Sequence, residues 1–200
     1  DVAGIKEVKL LVNPDPKSLW KNLDSDRNDP YWKEDNASSS GVLGSKKFIV
    51  GSKRGRSHAH EGIFRDDDFA YDFSSVDGWG IMAVADGAGS AKYSRKGSIL
   101  ACDRVVEYFK NLPVEETTKL SEAIASEILE SNELNQKTIS SFCITHLGKA
   151  AFSALNAIKE EANQKGAQIK DYSTTLIFAF VKEFGDKLFV SSFWVGDGGI

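Results

Sequence analysis

An α+β fold with mainly antiparallel sheets is predicted from three observations. Strand-like runs come first, helical periodicities are grouped in the middle, and strand-like runs return at the end. Residues 79–85 form a short, almost wholly apolar run that stops at Asp86-Gly87. The last two strand-like runs, 173–181 and 187–195, are separated by Glu183-Phe184-Gly185-Asp186, which has the length and Gly content of a hairpin connection. Strands bunched in this way, with helices between the bunches, favour a layered α+β domain over a repeating βαβ one.

Taken in order, residues 1–45 read as an irregular leader, with Pro14, Pro16 and Pro30, an Asp-rich stretch from Asp24 to Asp29, and the tract Ser38-Ser39-Ser40. No core is expected there, although Trp20, Tyr31 and Trp32 could dock on a neighbouring surface. The folded part, 46–200, begins with a strand at 47–50 and continues through a polar segment to Phe69-Ala70-Tyr71. After a turn at Asp77-Gly78, the run 79–85 is expected to be buried on both faces. Over 93–109, Ile99, Cys102, Val106 and Phe109 recur at helical spacing. A second helix carries Leu120, Ile124 and Ile128, and a third carries Leu147, Ala151, Leu155 and Ile158 before Gly166, a helix stop.

The 200 residues are 41% hydrophobic and 27% charged, an ordinary globular composition. A net charge of -4 argues against a duplex nucleic-acid binder, and Lys53, Arg54 and Arg56 are too small a cluster to reverse that. No apolar run approaches the ~20 residues needed to cross a bilayer, and the start lacks a signal-peptide pattern, so a cytoplasmic protein without membrane contact is expected. Cys102 and Cys143 have no metal-ligand spacing and read as small buried hydrophobes.

The chemistry is expected where strands end. Asp86 follows the run 79–85 and precedes Gly87-Ala88-Gly89, so its carboxylate projects beside unobstructed backbone that a metal or phosphate can approach. Asp197 repeats the arrangement after 188–195, within Gly196-Asp197-Gly198, and the repetition suggests one shared site. Asp66, Asp67 and Asp68 are three adjacent carboxylates, which repel unless something cationic offsets them. Carboxylates from separate strand ends suit hard cations such as Mg²⁺ and Mn²⁺ better than zinc. Any one of these motifs alone is equally a turn or a solvated loop.

Together, in order, they resemble the type 2C (PPM) family of metal-dependent protein serine/threonine phosphatases. Arg65-Asp66-Asp67-Asp68-Phe69 is similar to the family's early acidic motif, and Gly80 to Ser90 to its strand leading into Asp-Gly. Ser173-Thr174-Thr175-Leu176 is similar to its Thr-Thr strand start, and Trp194-Val195-Gly196-Asp197-Gly198 to its Val-Gly-Asp segment. The string Gly55-Arg56-Ser57-His58 resembles some bacterial members.

The resemblance implies a four-layer α-β-β-α sandwich of two antiparallel sheets flanked by helices, with two Mg²⁺ or Mn²⁺ ions at one edge and a third held more weakly. Asp86 would bridge two ions, the Gly87 carbonyl would bind one, Asp67 would act through a bound water, and Asp197 would lie near the third. A metal-bridged hydroxide would attack phosphorus in line, hydrolysing phosphoserine or phosphothreonine on a protein substrate and opposing a cognate kinase. The family's phosphate-binding Arg is replaced here by Gly62, leaving Arg54, Arg56 or Arg65 to substitute. Ala88 stands where many members have a His, leaving His58 and His60, on one face of an extended strand, as candidate replacements or ligands. The family takes further metal-binding aspartates from beyond the Val-Gly-Asp segment, whereas this sequence ends at Ile200, so the domain is expected to be incomplete at its C-terminus and poorly competent alone. The alternative reading is a catalytically silent phosphoprotein-binding or regulatory module of the same fold.

Overall fold

The structure is a computed structural model and describes residues 15–74 and 77–197. Its elements are β1 (Asn36–Leu43), β2 (Lys46–Lys53), α1 (Arg56–Glu61), β3 (Asp68–Asp72), β4 (Trp79–Ala85), α2 (Ser94–Lys110), α3 (Val114–Leu129), α4 (Glu133–Lys165), β5 (Leu176–Phe184) and β6 (Lys187–Val195). Two 3₁₀ turns, Pro16–Leu19 and Ile169–Tyr172, complete the order. β1 and β2 form one antiparallel sheet, and β3-β4-β5-β6 form a second in that spatial order, every pair antiparallel. The fold is an α+β sandwich with two antiparallel sheets, in agreement with the class predicted from sequence.

β4 shows how the layers form. Successive side chains of a strand point to opposite faces. Trp79, Ile81, Ala83 and Ala85 are buried in one core with Ala101, Cys102, Val105 and Phe109 of α2 and with Leu120 of α3. Trp79 stacks on Phe180 of β5 at 4.3 Å, and Phe109 on Phe180 at 4.5 Å. On the other face Met82 and Val84 remain 37% and 43% exposed, so the expected burial on both faces is found on one only. That second face is covered in part by the β1–β2 hairpin, where Phe48 meets Tyr71 and Phe73 at 4.7 and 4.6 Å. An apolar cleft of about 350 Å³, lined by Phe48, Met82, Val84 and Ile177, stays open beside it.

The three predicted helices are α2, α3 and α4, with longer bounds than their apolar spacing marks. α4 begins where the Asn132 side chain accepts from Asn135 N at 2.9 Å, and it ends at Gly166, whose φ of 62° closes the helix in the left-handed region. Phe184 pairs with Lys187, leaving Gly185-Asp186 as a two-residue hairpin turn with Gly185 at φ 64°.

Two segments differ from the sequence reading. Residues 36–43, read as irregular, form strand β1, because the Ser tract alternates exposed and half-buried positions against β2. The stretch holding His58 and His60, read as extended, is the short helix α1, stopped by Gly62 at φ 71°. The segment before β1 packs on the helices. The Tyr31 hydroxyl donates to Glu161 at 2.7 Å, Tyr31 meets the rings of Tyr93 and Tyr172, and Asp29 pairs with Arg95 at 2.7 Å.

Candidate functional site

The register of the four-stranded sheet gathers the singled-out residues at one end. Asp68 pairs with Ala85, so Asp67 and Asp86 emerge side by side from the start of β3 and the end of β4. Leu176 pairs with Val195, so Thr175 and Gly196 meet at the same end of β5 and β6. The Asp86 main chain is clamped there. Thr175 N donates to Asp86 O at 2.8 Å, Asp86 N donates to Thr175 Oγ1 at 3.0 Å, and Thr174 Oγ1 donates to Asp86 O at 2.9 Å. The Thr-Thr pair therefore fixes the residue that carries the carboxylate. Gly196 has φ 104°, and a Cβ on it would come within 2.7 Å of Thr175 Cγ2, so only glycine lets β6 run on to Asp197. The result is an open cleft of about 430 Å³ lined by Lys53, Asp67, Asp86, Thr175 and Asp197, among others.

The three adjacent carboxylates are steered in three directions. Asp66 hydrogen-bonds Ser94 and stands 3.8 Å from His58 Nδ1. Asp68 accepts from Lys33 Nζ at 3.0 Å, with Arg65 Nη1 at 3.7 Å. Asp67 stands beside Asp86, and burial together with the adjacent Asp86 carboxylate, which favours a shared proton and repels a second negative charge, pushes its carboxyl up to about 6. Burial also raises Asp66. Beneath the loop, Gly87 leaves room that no other residue would: a Cβ would stand 2.8 Å from the Asp66 carbonyl oxygen and 2.9 Å from Ser94 Cβ. Ser98 of α2 donates to that same carbonyl, so the loop rests directly on the start of α2.

The candidate cations and histidines lie elsewhere or serve the framework. Arg65, only 4% exposed, donates to Glu34 O, Ser52 Oγ and Asp67 O, holding the loop from below. Arg54 is buried against Leu23 O, Asn22 and Asp35. Arg56 bonds the Lys17 carbonyl and lies over the Trp20 ring. His58 Nδ1 bonds the Phe64 carbonyl at 2.7 Å, and His60 Nδ1 accepts from Lys21 N. The structure thus gathers Asp67, Asp86 and Asp197 in one cleft and places Arg54, Arg56 and His60 outside its lining. The cation that lines it is Lys53, at the exposed end of β2.

Sequence reasoning missed Lys33, Ser98 and the place of Lys53 in the cleft lining. The stacked charge of Asp66, Asp67 and Asp68 signals that a cation must stand nearby, but not that it comes from a segment more than thirty residues upstream.

Asp67 and Asp86 offer oxygen donors only, without a thiol or imidazole at hand, which suits a hard divalent ion. A cation between them would relieve the repulsion that raises Asp67. Among the described residues, nothing donates a hydrogen bond to the Gly87 carbonyl, which leaves it free to ligate. No group of three His, Cys, Asp or Glu side chains among the described residues is close enough to hold an ion, so Asp197 shares the cleft without joining the pair. The fit is therefore to a partial ligand set.

The shared strand ends thus open a cleft whose lining includes the carboxylates Asp67, Asp86 and Asp197. The family model of protein phosphatase 2C matches residues 54–200, and the chain belongs to that family. Comparison with curated proteins and with solved structures finds no match. Among the described residues, no helix is long and apolar enough to cross a membrane.

Proposed function

We propose that this protein hydrolyses phosphoserine and phosphothreonine on other proteins with the aid of Mg²⁺ or Mn²⁺. The observation that carries this reading is the apposition of Asp67 and Asp86 in an open cleft at the sheet end. Asp67, Asp86 and the Gly87 carbonyl would hold two ions, and Asp197 would stand near a third. Bound divalent cations supply a water acidic enough to act as nucleophile near neutral pH, and they neutralise phosphoryl oxygens.

This chain's own residues do the positioning. Thr174 and Thr175 hold the Asp86 backbone still, Gly87 lets the acidic loop close onto it, and Lys53 offers the substrate phosphate a positive charge from the cleft wall. Lys53 takes this role over Arg65, whose guanidinium is buried against main-chain carbonyls, and over Arg56, which lies outside the cleft lining. A cleft open to solvent suits a phosphorylated side chain presented on a protein surface, and the natural counterpart of such an enzyme is a protein kinase. The free thiols Cys102 and Cys143 suit a reducing, cytoplasmic setting.

The test is hydrolysis of a chromogenic phosphate ester by the full-length protein with Mn²⁺, with chelator, and after Asp86→Ala. Turnover that requires Mn²⁺ and falls at least about 100-fold in the variant is expected, as for loss of a principal charge-stabilising group. Folded protein without Mn²⁺-dependent turnover would refute the enzyme reading and support a phosphoprotein-binding role.

A further inference from the structure

Residues 63–67 carry no regular secondary structure, so the direction of the Asp67 carboxylate is set by what grips the loop. The Lys33 ammonium lies beneath it, 2.8 Å from Asp67 O, 3.0 Å from Asp68 Oδ2, and 3.5 Å from both Asp66 O and Arg95 O. Its side chain is 9% exposed. A buried ammonium is tolerated only when its three donors are met, and here four oxygens surround it. The segment that delivers it is itself anchored, by Asp29 on Arg95 and by Tyr31 on Glu161. Lys33 is therefore no free surface arm.

We propose that Lys33 is a positioning residue, which holds the acidic loop so that Asp67 faces Asp86. Two cations meet at one carbonyl, since Arg65 Nη1 also donates to Asp67 O at 2.7 Å. With that carbonyl held from below, the carboxylate of the same residue is turned into the cleft. Lys33 also supplies, from inside the protein, the charge that three successive aspartates demand, and it spends that charge on Asp68. Among the described residues no ion pair is made by the Asp67 carboxylate, on which the Lys33 charge acts only through space, so its oxygens stay open to an external cation. This inference rests on the reading of Asp67 and Asp86 as metal ligands, and it adds the upstream segment to the machinery of the site.

The experiment compares full-length wild type, Lys33→Gln and Lys33→Arg in two measurements. Amide hydrogen exchange in chelator follows residues 64–69 against β5 and β6, and calorimetric titration with Mn²⁺ follows affinity. For Lys33→Gln, exchange in 64–69 should quicken at least about 10-fold while β5 and β6 keep their protection. Mn²⁺ affinity should fall about 10–100-fold, the usual effect of removing a group that orients a metal ligand. Lys33→Arg should recover most of both. The proposal is overturned if Lys33→Gln keeps wild-type exchange in 64–69, or if exchange quickens equally across the whole sheet. It is overturned equally if the loop loosens while Mn²⁺ affinity stays at the wild-type value. Should Lys33→Gln fail to fold, Asp68→Asn removes the charge that Lys33 and Arg65 face while leaving the Lys33 bond to Asp67 O, and smaller changes of the same sign are then required. If wild type itself binds no Mn²⁺, the metal reading fails, and the exchange comparison alone decides whether Lys33 holds the loop.

Discussion

Replacing Gly87 by Ala places a methyl group where three atoms already stand: the Asp66 carbonyl oxygen at 2.8 Å, Ser94 Cβ at 2.9 Å and Asp66 Cβ at 3.0 Å. All three are main chain or the first side-chain atom, so none can swing aside. Comfortable contact between carbons lies near 3.5–4.0 Å, so the acidic loop or the start of α2 must retreat by about 0.5–1 Å. Forced overpacking of this size costs about 1–3 kcal/mol, which lowers the melting temperature of a 200-residue chain by roughly 2–12 °C. The functional loss should be larger in proportion. Asp67 adjoins Asp66, so the same retreat draws its carboxylate away from Asp86, and misplacement near 1 Å can cost on the order of 100-fold in rate. We expect Mn²⁺-dependent hydrolysis by Gly87→Ala to fall at least about 10-fold. Gly148→Ala in α4 is the control, because a Cβ there meets nothing within 4 Å. Removing a mid-helix glycine should hold or raise stability by about 0.5–1 kcal/mol and leave turnover alone. Thermal melts and ester hydrolysis in one buffer check both. Gly87→Ala that melts and turns over like wild type would refute the claim that close approach of the loop builds the site.

Two further outcomes are expected. Lys53→Met should lower kcat/KM for phosphate esters about 10-fold at saturating Mn²⁺, equivalent to about 1.4 kcal/mol, with Lys53→Arg near wild type and both melting normally; steady-state kinetics decide, and an unchanged kcat/KM removes Lys53 from substrate binding. His146 is held below its usual pKa by burial, with Lys149 also lowering it and Glu116 opposing; the Tyr108 hydroxyl lies 2.8 Å from its Nδ1. A depressed folded-state pKa contributes stability that is complete above about pH 6.5 and is lost as pH falls through the folded value. The drop in melting temperature from pH 7.5 to 5.5 should therefore be smaller in His146→Gln than in wild type, and equal drops would show that His146 does not titrate on unfolding.

The fold was legible where burial writes a period into the sequence. β4, β5, β6 and the three long helices follow from apolar spacing because each packs one face on a single core. β1 was not legible, since its strand character depends on pairing with β2 rather than on apolar residues: Ser38, Ser39 and Ser40 satisfy a ladder as well as valines do once a partner is beside them. α1 was missed for the opposite reason. Five polar residues and Ala59 carry no helical stripe, and their helix is set by the Gly62 stop and by His58 bonding the Phe64 carbonyl.

The site divides along the same line. Asp86 could be read because a buried strand running into Asp-Gly leaves few places for the carboxylate to go, and the register then puts Asp67 beside it. The cations could not be ranked from sequence, because an arginine's worth depends on what else it touches. Arg54 is buried against Leu23 O, Asn22 and Asp35, and Arg65 against main-chain carbonyls, so neither reaches for a phosphate, while Lys53, the last residue of β2, lines the cleft. Arg54 follows directly on the end of β2, so the two neighbouring cations part where the strand stops: Lys53 stays in the cleft lining, and Arg54 bonds the Asn22-Leu23 segment. Motif spacing alone does not carry that difference.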